Sequence, residues 1–410
     1  MAKLKLSSAQ IVASIDDLLI KIIQPLPLKS IFQLRLVSKY WNSLLLDPNL
    51  CLLRNRPVIG LIFEELETTD YPALNTTDVC SYIISLDKSI ISPPIRKMIP
   101  RDTWYQHCKI LHSCNGLLLC VSNPATGLSL KYYVCNPTTK KYITLPKVVL
   151  DHNRVSIHGM YLAFDPNKSL HYKVICLLRS SRDWLHLFDV YSSETGTWRK
   201  GGKLFKAVDF DFEDGVVYWN GAIHWVNIVT KTQKSVYFSL DCDDQTLKVF
   251  PNPPLLDKQY CKSDYYFGES CDHLHFVDSC RELDDIIVYE MKKDYSEWFV
   301  KYKVSFAEIQ RDYTEWDPYS EGLMKHKVEV PGKQPVYKYK LDARIYTVVR
   351  VKNDEDSSFL VMKNRTRIAR YNFKQKNCET LCDLKSVVGD RWFYWGSKLP
   401  FQCIESICSV

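Results

Sequence analysis

Two hydrophobic rhythms divide this chain. Up to about residue 50 the apolar positions recur at helical spacing, and beyond Pro57 they fall in short runs bounded by Asn, Asp, Gly and Pro. In the first part Leu18, Leu19, Ile22 and Ile23 predict a helix. Its start is the capping-box-like Ser14–Asp17, with Asp16 and Asp17 in an acidic first turn. Pro25 and Pro27 end it, and Pro27 suits the first position of a second helix with the stripe Leu28, Ile31, Phe32 and Leu36. Ser38 can cap a third, in which Trp41, Leu44 and Leu45 are apolar and Asp47-Pro48 is the stop. Ile20, Leu34, Val37 and Leu46 fall off any single stripe. Three helices in so few residues are near the lower limit of what folds alone, so the off-stripe positions read as a second apolar face left for a partner.

The rest of the chain predicts strands at Val58–Phe63, Ser81–Leu86, Gly116–Val121, Tyr132–Cys135, Gly159–Phe164, Tyr172–Leu178, Leu185–Tyr191 and Val216–Trp219. One unit repeats: an apolar strand, a polar turn, then a large residue. It appears as VCNPTTKKY, DVYSSETGTW, SLDCDDQTL, VYEMKKDYSEW and YNFKQKNCETL. The large residues are Tyr142, Trp198, Leu247, Trp298 and Leu381, at intervals of about fifty residues and finally one of about eighty, the first matching a four-stranded propeller blade of the kelch class. The long interval is expected to hide a degenerate blade around Tyr346, and SYIISLDKSI is a further upstream copy. A second element recurs as Ser113–Leu118, Gly215–Gly221 and Asp272–Val277; its Asn-Gly steps favour primed turns between strands. A pair of smaller β-sandwiches is the runner-up fold, which the near-constant interval disfavours.

The N-terminal residues resemble the F-box family. Asp17-Leu18-Leu19, Ile22, Leu26-Pro27-Leu28-Lys29-Ser30 and Val37-Ser38-Lys39-Tyr40-Trp41 match its pattern in order and spacing. Two positions depart from it: Ser14-Ile15 replaces the opening Leu-Pro, and Pro25 stands where the family often has Arg. SCNGLLLC, YVCNPTTKKYITLP and FQCIESICSV resemble the F-box-associated, kelch-like repeat domains of plant F-box proteins. The resemblance implies a plant source and a fold in two parts. A small all-α F-box of three helices (13–56) follows a flexible N-terminus (1–12). An all-β, kelch-like propeller of six to eight blades (57–410) comes next, with a terminal strand able to close the ring. It further implies the substrate-recognition subunit of an SCF-type (Skp1-cullin-F-box) ubiquitin ligase. The F-box would dock on a Skp1-like adaptor, and through it on cullin-1 and a RING subunit, while the propeller holds an unidentified protein substrate. The positions carried over as adaptor-facing or supporting are Leu18, Leu19, Ile22, Leu26, Pro27, Leu34, Val37 and Trp41, with Trp41 the first candidate for the internal core instead. The competing readings are a protein-binding scaffold outside any ligase, its F-box weakened at Ser14-Ile15, and a propeller oxidase.

Composition adds little chemistry. A net charge of +7 over 410 residues does not mark a nucleic-acid binder. No stretch has the length of a membrane-spanning helix, and the N-terminus has no apolar signal core. The 15 cysteines, scattered through apolar runs, then read as reduced thiols of a cytoplasmic or nuclear protein. Cys271, His273, His275 and Cys280 have zinc-ligand residue types, but strand alternation puts the first three on one face, which wraps a tetrahedral ion poorly. Asp16-Asp17, Asp243-Asp244 and Asp284-Asp285 read as a helix start and solvated turns, and Lys363, Arg365, Arg367 and Arg370 as a charged strand edge. No catalytic, cofactor-binding or metal-binding residue is expected. Aromatic loops at Arg101–Cys108, Arg179–Trp184, Tyr260–Phe267 and Arg311–Tyr319 are candidate recognition surfaces.

Overall fold

The computed structural model describes residues 15–23, 26, 28–34, 36–45, 58–67, 78–86, 91–92, 105–124, 130–150, 155–180, 185–201, 204–206, 212, 215–228, 234–240, 247–254, 265–278, 285–309, 323–328, 336–341, 343–352, 354–364, 367–383, 400–406 and 410. Three short helices come first: α1 (Asp16–Ile23), α2 (Leu28–Leu34) and α3 (Lys39–Leu45). The Ile15 carbonyl accepts the Leu18 and Leu19 N–H groups, both at 3.1 Å, and the Ser38 hydroxyl accepts the Trp41 N–H at 3.1 Å, capping α3 as its sequence predicts. Leu19, Ile23, Ile31 and Leu44 form the core, with Ile20, Leu26, Leu34 and Trp41 packed against it. Of the four off-stripe positions, Ile20 and Leu34 are therefore partly buried against the internal core, Val37 is exposed, and Leu46 lies outside the described residues. Helices this short wrap their core from several sides, so positions off one stripe still point inward.

From Val58 on, the described residues form six antiparallel sheets of four strands or more. Blade 1 runs β27 (Phe401–Ile404), β1 (Val58–Glu67), β2 (Asp78–Ser85), β3 (Ile91–Ser92). Blade 2 is β4 (Tyr105–Cys114) to β5 (Leu117–Pro124), β6 (Lys131–Asn136) and β7 (Lys141–Thr144). Blade 3 comprises β8 (Val155–Ala163), β9 (Lys173–Ser180), β10 (Leu185–Ser192) and β11 (Thr197–Arg199), with β12 (Phe205–Lys206) also on β10. Blade 4 holds β13 (Val216–Trp219), β14 (Ala222–Trp225), β15 (Ser235–Ser239) and β16 (Leu247–Phe250). In blade 5 the strands are β17 (Tyr265–Ser270), β18 (His273–Asp278), β19 (Asp285–Met291) and β20 (Trp298–Ser305). A separate hairpin, β21 (Leu323–Val328) with β22 (Val336–Leu341), precedes blade 6: β23 (Ala343–Val349), β24 (Phe359–Asn364), β25 (Arg367–Asn372) and β26 (Asn377–Asp383). The chain is thus a six-bladed propeller preceded by a few helices.

The repeated hairpins of the sequence are the third and fourth strands of blades 2 to 6, and SYIISLDKSI is the corresponding pair in blade 1. Among the described residues the long last interval holds no degenerate blade. Tyr346 lies on β23, the first strand of the blade that ends with Leu381, and the extra length carries the β21–β22 hairpin. Two of the repeated large residues make the same tie to the preceding blade. The Trp198 indole N–H donates to the Pro146 carbonyl and that of Trp298 to the Pro251 carbonyl, each at 2.8 Å.

Each blade junction has its own apolar core. Leu117 and Leu119 face blade 3, whereas Leu118 and Cys120, one step along the same strand, face blade 1. Likewise Leu61 and Phe63 pack on blade 6 while Ile62 packs on blade 2. Strands covered on both faces read as continuous apolar runs, which is why LLLC and VICLL show no alternation.

The ring closes through β27, which pairs antiparallel with β1 from Val58↔Ile404 to Ile62↔Phe401. Side chains of blade 2 fasten the strand from the other side. Ser113 donates to the Gln402 carbonyl at 2.8 Å, Asn136 to the Ser406 carbonyl at 2.9 Å, and the Ser406 N–H reaches the Thr138 hydroxyl at 3.1 Å. Gly116 sits under this seam at φ +90°, where a Cβ would stand 2.5 Å from the Ser406 Cβ and 2.8 Å from the Ile404 carbonyl oxygen. Gly116→Ala should therefore lower stability by about 1–3 kcal/mol, read as a shifted denaturant midpoint. An unchanged midpoint would contradict this seam.

Candidate functional site

Two regions of the molecule present groups that the fold itself does not use. The first is the outer face of the three helices. Ile15, Leu18 and Ile22 lie at helical spacing on one stripe and are 40, 39 and 53 % exposed. In the turn before α3, Leu36 and Val37 are 87 and 64 % exposed. The Tyr40 hydroxyl donates to the Asp16 carboxylate, tying the first turn of α3, and the Leu36–Val37 turn leading into it, to the first turn of α1. Among the described residues, five aliphatic side chains are thus left in solvent on a domain whose core holds Leu19, Ile23, Ile31 and Leu44.

The eight positions singled out in the sequence divide by burial. Leu18, Ile22 and Val37 are exposed, Leu19 is 3 % exposed inside the core, and Leu26, Leu34 and Trp41 are partly buried against it; Pro27 lies outside the described residues. Leu36 was expected on the inner stripe of the second helix. That helix ends at Leu34, so Leu36 falls in a turn and points outward. Ile15 was overlooked as a surface residue, although it stands where the Leu-Pro pattern is broken. It keeps an exposed aliphatic side chain on the α1 stripe despite that departure.

The second region is the propeller axis. The first strand of each blade (β27, β4, β8, β13, β17 and β23) lines a central chamber of about 230 Å³. It opens into a wider mouth of about 910 Å³, walled by the turns that follow those strands. Asn115, Tyr218, Glu269, Gln402 and Ile404 line both spaces.

Polar groups in this channel bridge the blades. His112 accepts the Leu162 N–H on Nδ1 at 3.2 Å, which leaves its Nε2–H to donate to the Val216 carbonyl at 3.3 Å. Burial holds its pKa down at about 4, so the ring is neutral. Across the channel the Gln402 amide donates to the Glu269 carbonyl and to the Thr347 hydroxyl, both at 2.9 Å. The Glu269 carboxylate accepts the Asp272 N–H at 2.6 Å. Burial pushes its pKa up to about 7, and the charges of Asp272 and Asp165 push the same way. Away from the channel, His224 packs beside Tyr237 and Tyr295, which stack on each other, and is likewise held neutral by burial, at about 3.

The remaining candidates resolve into structural pairings. His273 Nδ1 lies 2.8 Å from Glu290, His275 Nε2 lies 3.6 Å from the same carboxylate, and Arg350 Nη1 approaches its other oxygen at 2.6 Å. Burial opposes ionisation of Glu290, but the imidazoles of His273 and His275 outweigh it and hold the group well below the usual carboxylate range. The Cys271 thiol donates to the Arg350 carbonyl at 3.1 Å. Among the described residues no His, Cys, Asp and Glu groups are arranged to hold a metal ion, and Cys280 lies outside them. In the basic run, Arg370 pairs with Glu379 at 2.6 Å and Arg367 approaches Asp383 at 3.9 Å, while Arg365 lies outside the described residues. Asp16 bonds Tyr40 and Asp285 pairs with Lys303, whereas Asp243, Asp244 and Asp284 lie outside. Of the aromatic loops, 101–104, 181–184, 260–264 and 311–319 lie outside the described residues; the strand ends that flank them all sit on the face opposite the channel's wide mouth.

Two predictions follow from burial. Leu19→Ala should destabilise the helical domain by about 2–4 kcal/mol, whereas Leu18→Ala should change it by under about 0.5 kcal/mol; equal losses in helix melting would refute the division into core and surface. The second concerns pH. His112 and His224 have folded pKa values below the unfolded 6.5, so their contribution is intact above that pH and declines as pH falls toward about 4 and about 3. Each adds a slope of up to about 1.4 kcal/mol per pH unit. Glu269, raised from 4.5 to about 7, acts oppositely, losing stability as pH rises through that window. Burial lowers the pKa of His275 as well, so with three histidines against one carboxyl, stability should fall on acidification between pH 6.5 and 4.5. Denaturant midpoints that stay level or rise there would contradict the neutral-histidine assignment.

Comparison with known proteins agrees with this architecture. Residues 16–53 match the F-box domain and residues 76–265 the F-box associated beta propeller domain. The chain is 30% identical to the Arabidopsis thaliana F-box protein At5g07610, over 98% of this chain and 94% of that protein. It is 27% identical to F-box protein At5g49610 of the same plant, over 52% of this chain and 57% of the relative. With its three-helix domain, its closed ring and a relative matched along nearly its whole length, the chain belongs to the plant F-box proteins that carry an F-box-associated β-propeller.

Proposed function

We propose that the chain is the substrate-recognition subunit of an SCF-type ubiquitin ligase. The observation that carries this reading is the outer face of the helical domain. Ile15, Leu18, Ile22, Leu36 and Val37 are exposed although the core beneath them is already formed by Leu19, Ile23, Ile31 and Leu44. Burying one such side chain in an interface contributes roughly 1.5–3 kcal/mol, so the face is suited to a Skp1-like adaptor. Leu18, Ile22 and Val37 touch the adaptor in this reading. Leu19, Leu26, Leu34 and Trp41 support them from behind. The adaptor in turn links the chain to cullin-1 and a RING subunit.

The propeller then holds the protein to be ubiquitinated, and the chain contributes proximity and orientation rather than a catalytic group. The described cysteines are all free thiols, which supports a reducing cytoplasmic or nuclear setting. Ile15 weighs against a decayed adaptor site, because the altered Ser14-Ile15 step still ends in an exposed aliphatic residue.

The test is affinity for a purified Skp1-type protein. Ile22→Asp and Val37→Asp should each weaken binding by at least about tenfold with helix melting unchanged. If neither variant loses affinity, or the wild-type chain shows none, the reading fails. Recovery of other partners without cullin would then favour the scaffold.

A further inference from the structure

We propose that the wide mouth of the propeller channel binds a basic side chain, an arginine or lysine of a bound polypeptide, with Glu269 as its counter-charge. This deepens the receptor role but does not depend on adaptor docking, which the helical domain decides.

Glu269 stands where mouth and chamber meet. Its carboxylate is bonded to one donor, the Asp272 N–H, and no cation is within salt-bridge distance of it among the described residues. Of the other charges at the mouth, Lys293 pairs with Asp272, Lys168 with Asp165, and Arg350 with Glu290 and Glu355, while Lys352 and Asp354 line it as one further cation and one further carboxylate. The carboxylates that act on Glu269 make its surroundings more negative still, which is the field a cation would relieve. Arg344, the guanidinium of the chamber, is at the start of β23 and so at the opposite end of the axis from Glu269, which precedes the turn after β17.

The walls fit the same ligand. Tyr218, Tyr161, Tyr346 and Phe401 face the chamber, and aromatic faces attract an ammonium or guanidinium through the ring quadrupole. The volumes argue for a side chain carried on a backbone. A chamber of about 230 Å³ is of the size for one long side chain, and the mouth of about 910 Å³ leaves room for an extended segment. The turns around the mouth are held by interblade bonds, such as Asn115 to the Phe164 carbonyl at 2.7 Å and the Trp219 indole to the Asp272 carbonyl at 3.0 Å, so the site is pre-formed.

Calorimetric titration of the full chain with Nα-acetyl-arginine amide, Nα-acetyl-lysine amide and uncharged Nα-acetyl-norleucine amide tests this. The expected result is saturable binding of at least one basic probe and none of norleucine, with a loss of about tenfold or more in Glu269→Gln. The amide can still accept the Asp272 N–H, and adaptor affinity should be unaltered, which separates this outcome from failure of the receptor reading. Equal binding by wild type and Glu269→Gln, or no binding of either basic probe, overturns the proposal. So does binding of agmatine, which has no backbone, in place of the capped amides. Should Glu269→Gln fail to fold, thermal melting of the wild type decides: a basic probe must raise the midpoint more than norleucine does, and equal shifts overturn the site.

Discussion

An antiparallel sheet left open at its edge presents unpaired N–H and C=O groups, and a ring of blades has to remove the gap between its last blade and its first. Here the pairing of β27 with β1 does so, joining residues more than three hundred positions apart. The rest of the propeller depends on that contact because each blade is apolar on both faces. Without β27, Ile62 and Ile110 lose Cys403 and Phe401 from their shared core. The same strand brings Gln402 into the channel, where it bonds the backbone of blade 5 and the Thr347 hydroxyl of blade 6. Closing the ring and completing the channel wall are therefore one event. The loop-closure entropy of so distant a pairing places it among the slow steps of folding.

The channel also explains an irregularity in the turns. Blades 2 and 4 turn from first to second strand through Asn115-Gly116 and Asn220-Gly221, all with positive φ. Blade 5 makes the same turn with Cys271 at +50° and Asp272 at +65°, where glycine would be easier. These side chains have uses that glycine cannot supply. The Cys271 thiol bonds the Arg350 carbonyl of blade 6, and the Asp272 carboxylate pairs with Lys293. The Asp272 N–H meanwhile fixes Glu269. Backbone strain at this turn coincides with the position of Glu269, the one carboxylate among the described residues that lines both chamber and mouth, and stored strain tends to accompany a binding role.

Much of this fold was legible because it repeats. Polar turns flanked by apolar runs recur at a near-constant length, which places hairpins such as β6–β7 and β10–β11, and the Asn-Gly steps favour the turn type of β4–β5 and β13–β14, so both could be placed from residues alone. The error at Tyr346 has the same origin: spacing counts residues, and the β21–β22 hairpin lengthens one interval without adding a blade. The helical domain was legible as three elements but not as faces. Periodicity put Leu36 inside and Ile20 and Leu34 outside, since it cannot tell where α2 stops or that three short helices enclose their core from several directions. The channel left no local signature. Glu269, His112, Gln402 and Arg350 come from three blades and the closing strand, and only the closed ring brings them together.

The two parts of the chain distribute their exposed apolar residues differently, and this bears on how the two sites proposed above could act together. Among its described residues the propeller gathers large apolar side chains into six interblade cores and leaves others, such as Val149, Leu204 and Val249, scattered in solvent. The helical domain, among its described residues, has four buried in its core and five aliphatic side chains grouped in water. Neither core draws residues from the other domain: the helical cluster contains only positions between Leu19 and Leu44. Free energies of sites that share no packing are close to additive, so occupation of the helical face need not alter affinity at the propeller axis. A receptor that acts by proximity requires no more than that: both sites occupied at once, with the chain between them limiting their separation.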